Sequence, residues 1–121
     1  MKKYNVILSI NESEVLKHFC IQEGIKFFRT EYWDKRYCEV EVSEEQKKMV
    51  DEFLNDLSFV IKCNGNLIAV FKHGDDDWSI ADCINDWSVR GSFDDISEEL
   101  SKLPTEVWET WQKKRKEQGL C

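Results

Sequence analysis

Hydrophobic and polar positions alternate over much of the first half of the chain, with the period of β-strands. Residues 58–71 contain two apolar, β-branched runs separated by Asn64 and Gly65. Asn-Gly between two such runs predicts a hairpin with a type I′ turn, because both central residues of that turn need a positive φ. A two-residue loop also fixes the register, which places Cys63 opposite Asn66.

Both faces of this hairpin are apolar. One face carries Phe59, Ile61, Ile68 and Val70, and the other carries Val60, Leu67, Ala69 and Phe71. A sheet with one solvated face would show polar side chains on that side. We therefore expect the hairpin at the centre of the fold, with its second face covered by a helix or by another subunit, which makes a homo-oligomer an expectation.

The same alternation predicts a first strand over residues 4–10 and two strands over residues 25–33 and 36–42, joined at Asp34 and Lys35. Of the two faces of this pair, we expect the one with apolar Phe27, Val40 and Val42 to be the core. The other side would then be exposed or would line a pocket, and it carries Tyr32, Tyr37, Glu39 and Glu41.

Helical periodicity predicts a helix after Asn11, with a buried stripe that contains Leu16, and a second helix after Ser43, which begins a Ser-x-x-Gln capping box. Residues 78–87 fit a helix better than a strand, because a strand would place Asp82 on the apolar side. A loop at residues 88–92, a helix over residues 93–103 with Ile96 and Leu100 inward, and a last helix from Pro104 onward complete the prediction.

Strand, helix, strand, strand, helix, strand is the element order of the ferredoxin-like sandwich. We therefore predict an α+β fold with a ferredoxin-like β-α-β-β-α-β core, an extra hairpin strand and C-terminal helices. With 121 residues the chain is expected to form a single domain. Residues 1–72 would form the core, and residues 73–121 an acidic segment plus the C-terminal helices.

Charge is distributed unevenly around a net value of −7. Residues 75–99 contain nine carboxylates and one arginine, which gives this segment a net charge of −8. Direct nucleic-acid binding is not expected, because it depends on Lys and Arg neutralising phosphates. Lys35, Tyr37 and Val40 resemble the third strand of RNA-recognition-motif proteins, but Glu39 stands where a base-stacking aromatic would be.

Signals for a membrane or a secretory route are missing from the sequence. No apolar run approaches the roughly 18 residues of a transmembrane helix, and Met1 leads into a strand-like segment instead of a signal-peptide core. We expect a cytoplasmic protein without a membrane partner. The five cysteines are far apart and suit buried, reduced side chains better than a zinc site: Cys20, Cys38, Cys63, Cys83 and Cys121.

Catalytic and cofactor motifs are equally missing. The sequence has no phosphate-binding loop, nucleophile elbow or metalloprotease helix. His18 and Cys20 would point to different sides of a helix, while His73 and Cys83 form a conceivable pair in surroundings too negative to activate a thiol. The aspartates at 75–77 lack the pattern of a calcium loop. We expect no metal, no cofactor and no enzymatic activity.

An acidic segment interleaved with aromatic residues is typical of a surface that attracts a basic protein by its field. The sequence therefore predicts a non-enzymatic protein-binding module. In profile it is similar to phage anti-defence proteins and toxin immunity proteins, small acidic inhibitors of basic nucleic-acid-binding or toxin-like proteins. The expected partner-binding residues are Asp75, Asp76, Asp77, Trp78, Trp87, Asp94 and Asp95.

A second interpretation stays open from the sequence. The chain could bind a small molecule or nucleotide in a pocket of aromatic and arginine side chains, at a subunit interface. Its residues would be Arg29, Tyr32, Trp33, Arg36 and Tyr37.

Overall fold

The computed structural model describes residues 1–119 and shows a mixed α+β fold with two antiparallel sheets and four helices in that range. The contacts divide the chain into two compact units, Met1–Asn55 and the part from Asp56 onward. The boundary therefore lies at the end of a helix, whereas the sequence placed a change of character at residue 72. None of the helices described is both long and apolar enough to cross a membrane.

The first unit has the elements β1 (Lys2–Ser9), α1 (Ile10–Glu23), β2 (Lys26–Tyr32), β3 (Lys35–Val42) and α2 (Glu44–Asp56), the last of which runs one residue past the boundary. Its strands form a sheet in the order β1-β3-β2. Helix α1 begins two residues earlier than expected, because Ser9 forms a capping box with Glu12 where Asn11 was predicted to cap. The Ser43 and Gln46 capping box of α2 is present as predicted.

Alternation along β3 sets the core of the first unit. Val40 and Val42 are fully buried, Phe27 packs against them and Leu16 of α1 is inaccessible to solvent, so the predicted core face is confirmed. The turn between β2 and β3 is not where the sequence put it. It consists of Trp33 and Asp34, with Trp33 at φ 57°. Each β2 residue therefore pairs with a β3 residue two positions earlier than a turn at Asp34 and Lys35 would give. A shift of two keeps each side chain on its predicted face.

The second unit has the elements β4 (Leu57–Cys63), β5 (Asn66–Lys72), β6 (Trp78–Asp82), β7 (Trp87–Gly91), α3 (Phe93–Ser101) and α4 (Thr105–Glu117). The β4–β5 register is confirmed from Cys63 with Asn66 to Phe59 with Val70. The turn type differs from the prediction. Gly65 alone has a positive φ, of 87°, which fits the second central residue of a type II turn, where type I′ would need a positive φ at Asn64 also.

Residues 78–87 are not a helix, and the prediction for this segment was wrong. Trp78–Asp82 pairs with β5 and Trp87–Gly91 pairs with β6, so the predicted loop at 88–92 is also mostly strand. The free edge of β5 offers backbone partners along its whole length, and these outweigh the helical periodicity of the segment.

The core of the second unit lies between one face of the four-stranded sheet, in the order β4-β5-β6-β7, and the last two helices. Trp111 of α4 is fully buried and stacks on Phe59 of β4, with ring centroids 5.7 Å apart. Ile96 and Leu100 of α3 are fully buried as predicted. These helices therefore cover the face that carries Phe59 and its neighbours.

The second hairpin face is buried as well. Val60, Leu67, Ala69 and Phe71 are between 0% and 8% exposed within a single chain. This face therefore does not need a second subunit to cover it, and its apolar character no longer supports self-association, which stays a prediction.

A ferredoxin-like arrangement is not confirmed. That fold needs the strand after the second helix to join the first sheet, but β4 pairs with β5 in a separate sheet. The β-α-β-β-α order was read correctly; the strong β4–β5 hairpin places β4 with its sequence neighbour.

Candidate functional site

The acidic turn before β6 is joined to the start of helix α3. The Asp76 Oδ1 atom accepts a hydrogen bond of 2.9 Å from the Phe93 amide, in the first turn of α3. Asp77 accepts two bonds from the guanidinium of Arg90, of 2.9 and 2.7 Å, and the Arg90 contact lowers the pKa of Asp77. This connects the turn with Asp75, Asp76 and Asp77 to the helix start with Asp94 and Asp95.

These five aspartates have different roles. Asp95 completes the capping box of Ser92, accepting a 3.0 Å bond from its amide. Asp76, Asp77 and Asp95 therefore stabilise the local structure. Asp75 and Asp94 are exposed and have no side-chain hydrogen bond or ion pair to any residue in the described range 1–119.

Both tryptophans expected in a partner-binding surface belong to the core of the second unit. Trp78 is 3% exposed and makes an edge contact with Phe93, and Trp87 is half-buried and packs against the same core. Trp78 contacts the start of α3 through Phe93, whereas Trp87 pairs with Asp82 at the other end of β6, so the two rings do not form an open aromatic patch beside the aspartates.

The pocket predicted from arginine and aromatic residues is divided between two sides of the first sheet. Arg29 lies on the core side, where its guanidinium contacts Glu14 and donates to Ser13 of α1. The Arg36 side chain also lies on that side, is 12% exposed, and donates to the carbonyl oxygens of Trp33 and Lys35.

Tyr32, Trp33 and Tyr37 remain together on the opposite, solvent-facing side. The Tyr32 ring makes edge contacts with Trp33 and Tyr37, with centroids 6.2 and 6.1 Å apart. A ligand on that side would therefore meet aromatic rings without either arginine.

A groove of about 660 Å³ lies on this solvent-facing side. Its lining comes from all three strands: Asn5, Val6, Ile7, Phe28, Thr30, Tyr37, Cys38 and Glu39. Of these, only Tyr37 belonged to the predicted pocket of arginine and aromatic residues. The alternation did place Phe28, Thr30 and Glu39 on the same side as Tyr37, whereas Val6 and Cys38 alternate to the core side.

Asp82 is a buried carboxylate at the end of β6, on the apolar side as the rejected strand prediction required. It accepts bonds from the side-chain amides of Asn66 and Asn85, at 2.7 and 2.8 Å, and from the amides of Leu67, Ile84 and Asn85, at 3.4, 3.0 and 3.1 Å. Burial raises the pKa of Asp82 and the hydrogen bonds lower it by more, so it lies below the ordinary 3.8. No sequence motif indicated this network; its one signal was the position of Asp82 on the apolar side of a strand at residues 78–82.

His73 is held between a carboxylate and a hydroxyl. Its Nδ1 atom lies 2.8 Å from Asp56 Oδ2 and its Nε2 atom 2.7 Å from Ser79 Oγ, so it is not paired with Cys83. Hydrolase triads have the same hydrogen-bond arrangement, with a histidine between a serine and an aspartate. The His73 and Gly74 amides both donate to the Asp77 carbonyl and are not free to stabilise an oxyanion. We interpret the three residues as a structural link between β6 and the end of α2.

The cysteines of the described range are free, and Cys20, Cys38 and Cys63 are buried. Burial raises the pKa of Cys20 to about 11, with Cys38 adding to it, and burial together with Asp82 and Asp86 raises that of Cys83 to about 11. Cys121 lies outside the described residues. Within residues 1–119 no group of three or more His, Cys, Asp or Glu side chains is placed to hold a metal ion.

Comparison with models of known protein families, with curated proteins and with solved structures finds no match for this chain.

Proposed function

We propose that the protein is a non-enzymatic binding module that captures a basic protein, as phage anti-defence and immunity-type inhibitors do with nucleic-acid-binding or toxin-like targets. The observation that carries the proposal is the bond between Asp76 and the Phe93 amide. It connects the aspartates of the turn with those at the start of α3, so that charges separated by about seventeen positions act as one acidic surface, which comprises Asp75, Asp76, Asp77, Asp94 and Asp95.

Two members of the acidic surface favour a partner over a purely structural role. Asp75 and Asp94 are exposed and make no side-chain hydrogen bond or ion pair within residues 1–119, although the helix dipole favours the Asp94 carboxylate in the first turn of α3. Like charges held close together repel one another and destabilise the folded state. Long-range attraction of a positively charged surface accounts for the presence of Asp75 and Asp94 despite this repulsion. Such attraction raises the association rate more than the final affinity.

The double variant Asp75→Asn and Asp94→Asn tests this function, because it removes two charges and leaves the structural aspartates in place. A matched control is Glu23→Gln with Asp34→Asn, which removes two exposed charges from the first unit. Affinity capture from the source cells, followed by mass spectrometry, identifies the partner. Association rates are then measured from about 0.05 to about 0.5 M salt, a range over which the Debye length shortens severalfold.

We expect the captured partner to be basic and the Asp75/Asp94 variant to associate about two- to tenfold more slowly at low salt. At high salt its rate should approach that of the parent, and the control should follow the parent throughout. Equal rates for all three proteins, or a partner without a basic surface, would refute the proposal.

A further inference from the structure

The groove on the first sheet is built from two rows of side chains that cross all three strands. In one row Glu39 of β3 lies between Asn5 of β1 and Phe28 of β2. In the next row Tyr37 lies between Ile7 and Thr30. Since the sheet is regular here, the floor of the groove is fixed by strand pairing and does not depend on loop conformation.

Large apolar side chains are unusually exposed in this groove. Ile7 is 56%, Phe28 is 52% and Tyr37 is 45% exposed. Tyr32 and Trp33 extend the aromatic surface beyond it, at 58% and 84% exposed. Single exposed apolar residues need no explanation, but a contiguous set around a concavity is typical of a binding site.

Charge determines which ligand suits the groove. Glu39 is the one Asp, Glu, Lys, Arg or His residue among those that line the groove. It has no ion pair with any residue from 1 to 119, whereas its strand neighbour Glu41 lies 3.8 Å from the Lys26 ammonium. At close range the negative charge of Glu39, beside Phe28 and Tyr37, attracts a cation. Lys3, Lys26 and Lys35 lie on the same face of the sheet but outside the groove, and Lys26 is paired with Glu41.

We propose that this groove receives an arginine or lysine side chain of a basic protein partner. The cationic head lies against the ring of Tyr37 or Phe28, Glu39 is its counter-ion, and the aliphatic stem packs on Ile7. This inference rests on the proposed function for the nature of the partner, but it places a binding site on the first unit, in residues that the acidic surface does not include.

Binding is tested without any partner protein, by following backbone amide signals in ¹H–¹⁵N NMR spectra while a blocked arginine, N-acetylarginine amide, is added. N-acetylcitrulline amide has nearly the same shape without the charge and serves as the reference ligand. We expect arginine, at millimolar concentration, to shift the amides of Ile7, Phe28, Tyr37 and Glu39 more than citrulline does.

Two variants with the same charge change separate the groove from the general negative charge of the protein. Glu39→Gln should raise the arginine Kd about two- to fivefold, which is the size of an exposed ion pair, because the cation–π contact with Tyr37 or Phe28 remains. Glu41→Gln lies on the same face of the same strand but outside the groove, and should leave the Kd unchanged. Dispersed amide signals in both variants would show that each is folded.

The inference is overturned if citrulline binds as well as arginine, if the shifted amides lie outside the groove, or if Glu41→Gln weakens binding as much as Glu39→Gln. Uridine monophosphate shifting the same amides more strongly than arginine would also overturn it, in favour of a nucleotide site. A failed arginine titration would refute the groove as a binding site but not the proposed role of the acidic surface. Unchanged association rates of the Asp75/Asp94 variant would refute the role of the acidic surface but not the groove, so the two failures are distinguishable.

Discussion

Replacing Asp82 by alanine removes the acceptor of five hydrogen bonds at the end of β6. Two of the donors, the Asn66 side chain and the Leu67 amide, belong to residues that are 7% and 8% exposed, so water cannot readily replace the carboxylate. A hydrogen bond to a charged group contributes about 1.5–3 kcal/mol, and a buried donor left unpaired costs about 1–3 kcal/mol. The donors share one acceptor, so their contributions do not add fully.

We therefore expect Asp82→Ala to lower the free energy of unfolding by about 3–5 kcal/mol, from the lost bonds to the carboxylate and the two buried donors left unpaired. Urea unfolding followed by tryptophan fluorescence measures it, because Trp78 and Trp111 lie in the same core. Asp86→Asn is the matched control: it removes one exposed charge from the same turn, and asparagine tolerates the φ of 57° that Asp86 adopts.

The effect should also depend on pH in a defined direction. The folded pKa of Asp82 is lowered, so its contribution to stability is present above the unfolded pKa of about 3.9 and is lost as the pH falls through the folded value. The stability gap between parent and Asp82→Ala should therefore narrow below about pH 4. If Asp82→Ala lowers the free energy of unfolding at neutral pH by no more than Asp86→Asn does, the hydrogen-bond network of Asp82 does not stabilise the β6–β7 turn and the reasoning is refuted.

Three further outcomes are expected. Gly65→Val should cost about 1–2 kcal/mol in the same unfolding assay, because no neighbour lies within 4 Å of an added Cβ and only the φ of 87° is unfavourable to it; Lys62→Val, on the exposed flank of the hairpin, is its control, and equal stability would contradict the turn geometry. Cys83 should react slowly with iodoacetamide at pH 7.5 and faster as the pH approaches its pKa of about 11, measured by mapping the modified peptide; fast reaction at neutral pH would contradict the raised pKa of this partly buried thiol. Ser79 should not be labelled by a fluorophosphonate probe in intact mass spectra, since its link to His73 is structural; an adduct on Ser79 that His73→Gln abolishes would identify a hydrolase instead.

Local signals in the sequence determined a large part of this protein. The β4–β5 register follows from Asn64-Gly65 and the flanking apolar runs, the start of α2 from Ser43 and Gln46, and the buried face of α3 from the spacing of Ile96 and Leu100. The turn and the helix cap depend on contacts within about ten residues of chain, which a sequence pattern contains in full. The buried face of α3 follows from the helical spacing of its own apolar residues, whatever they pack against.

Only the tertiary structure decided the features that depend on distant partners. Residues 78–87 have helical periodicity, but the open edge of β5 makes Trp78–Asp82 a strand. That strand turns Asp82 inward, where donors from the start of β5 and from residues 84 and 85 satisfy the buried carboxylate. Likewise Glu39 and Phe28 become neighbours in a groove through the pairing of β2 with β3. Such pairings join segments whose match is set by backbone hydrogen bonds, and backbone groups are the same in every sequence.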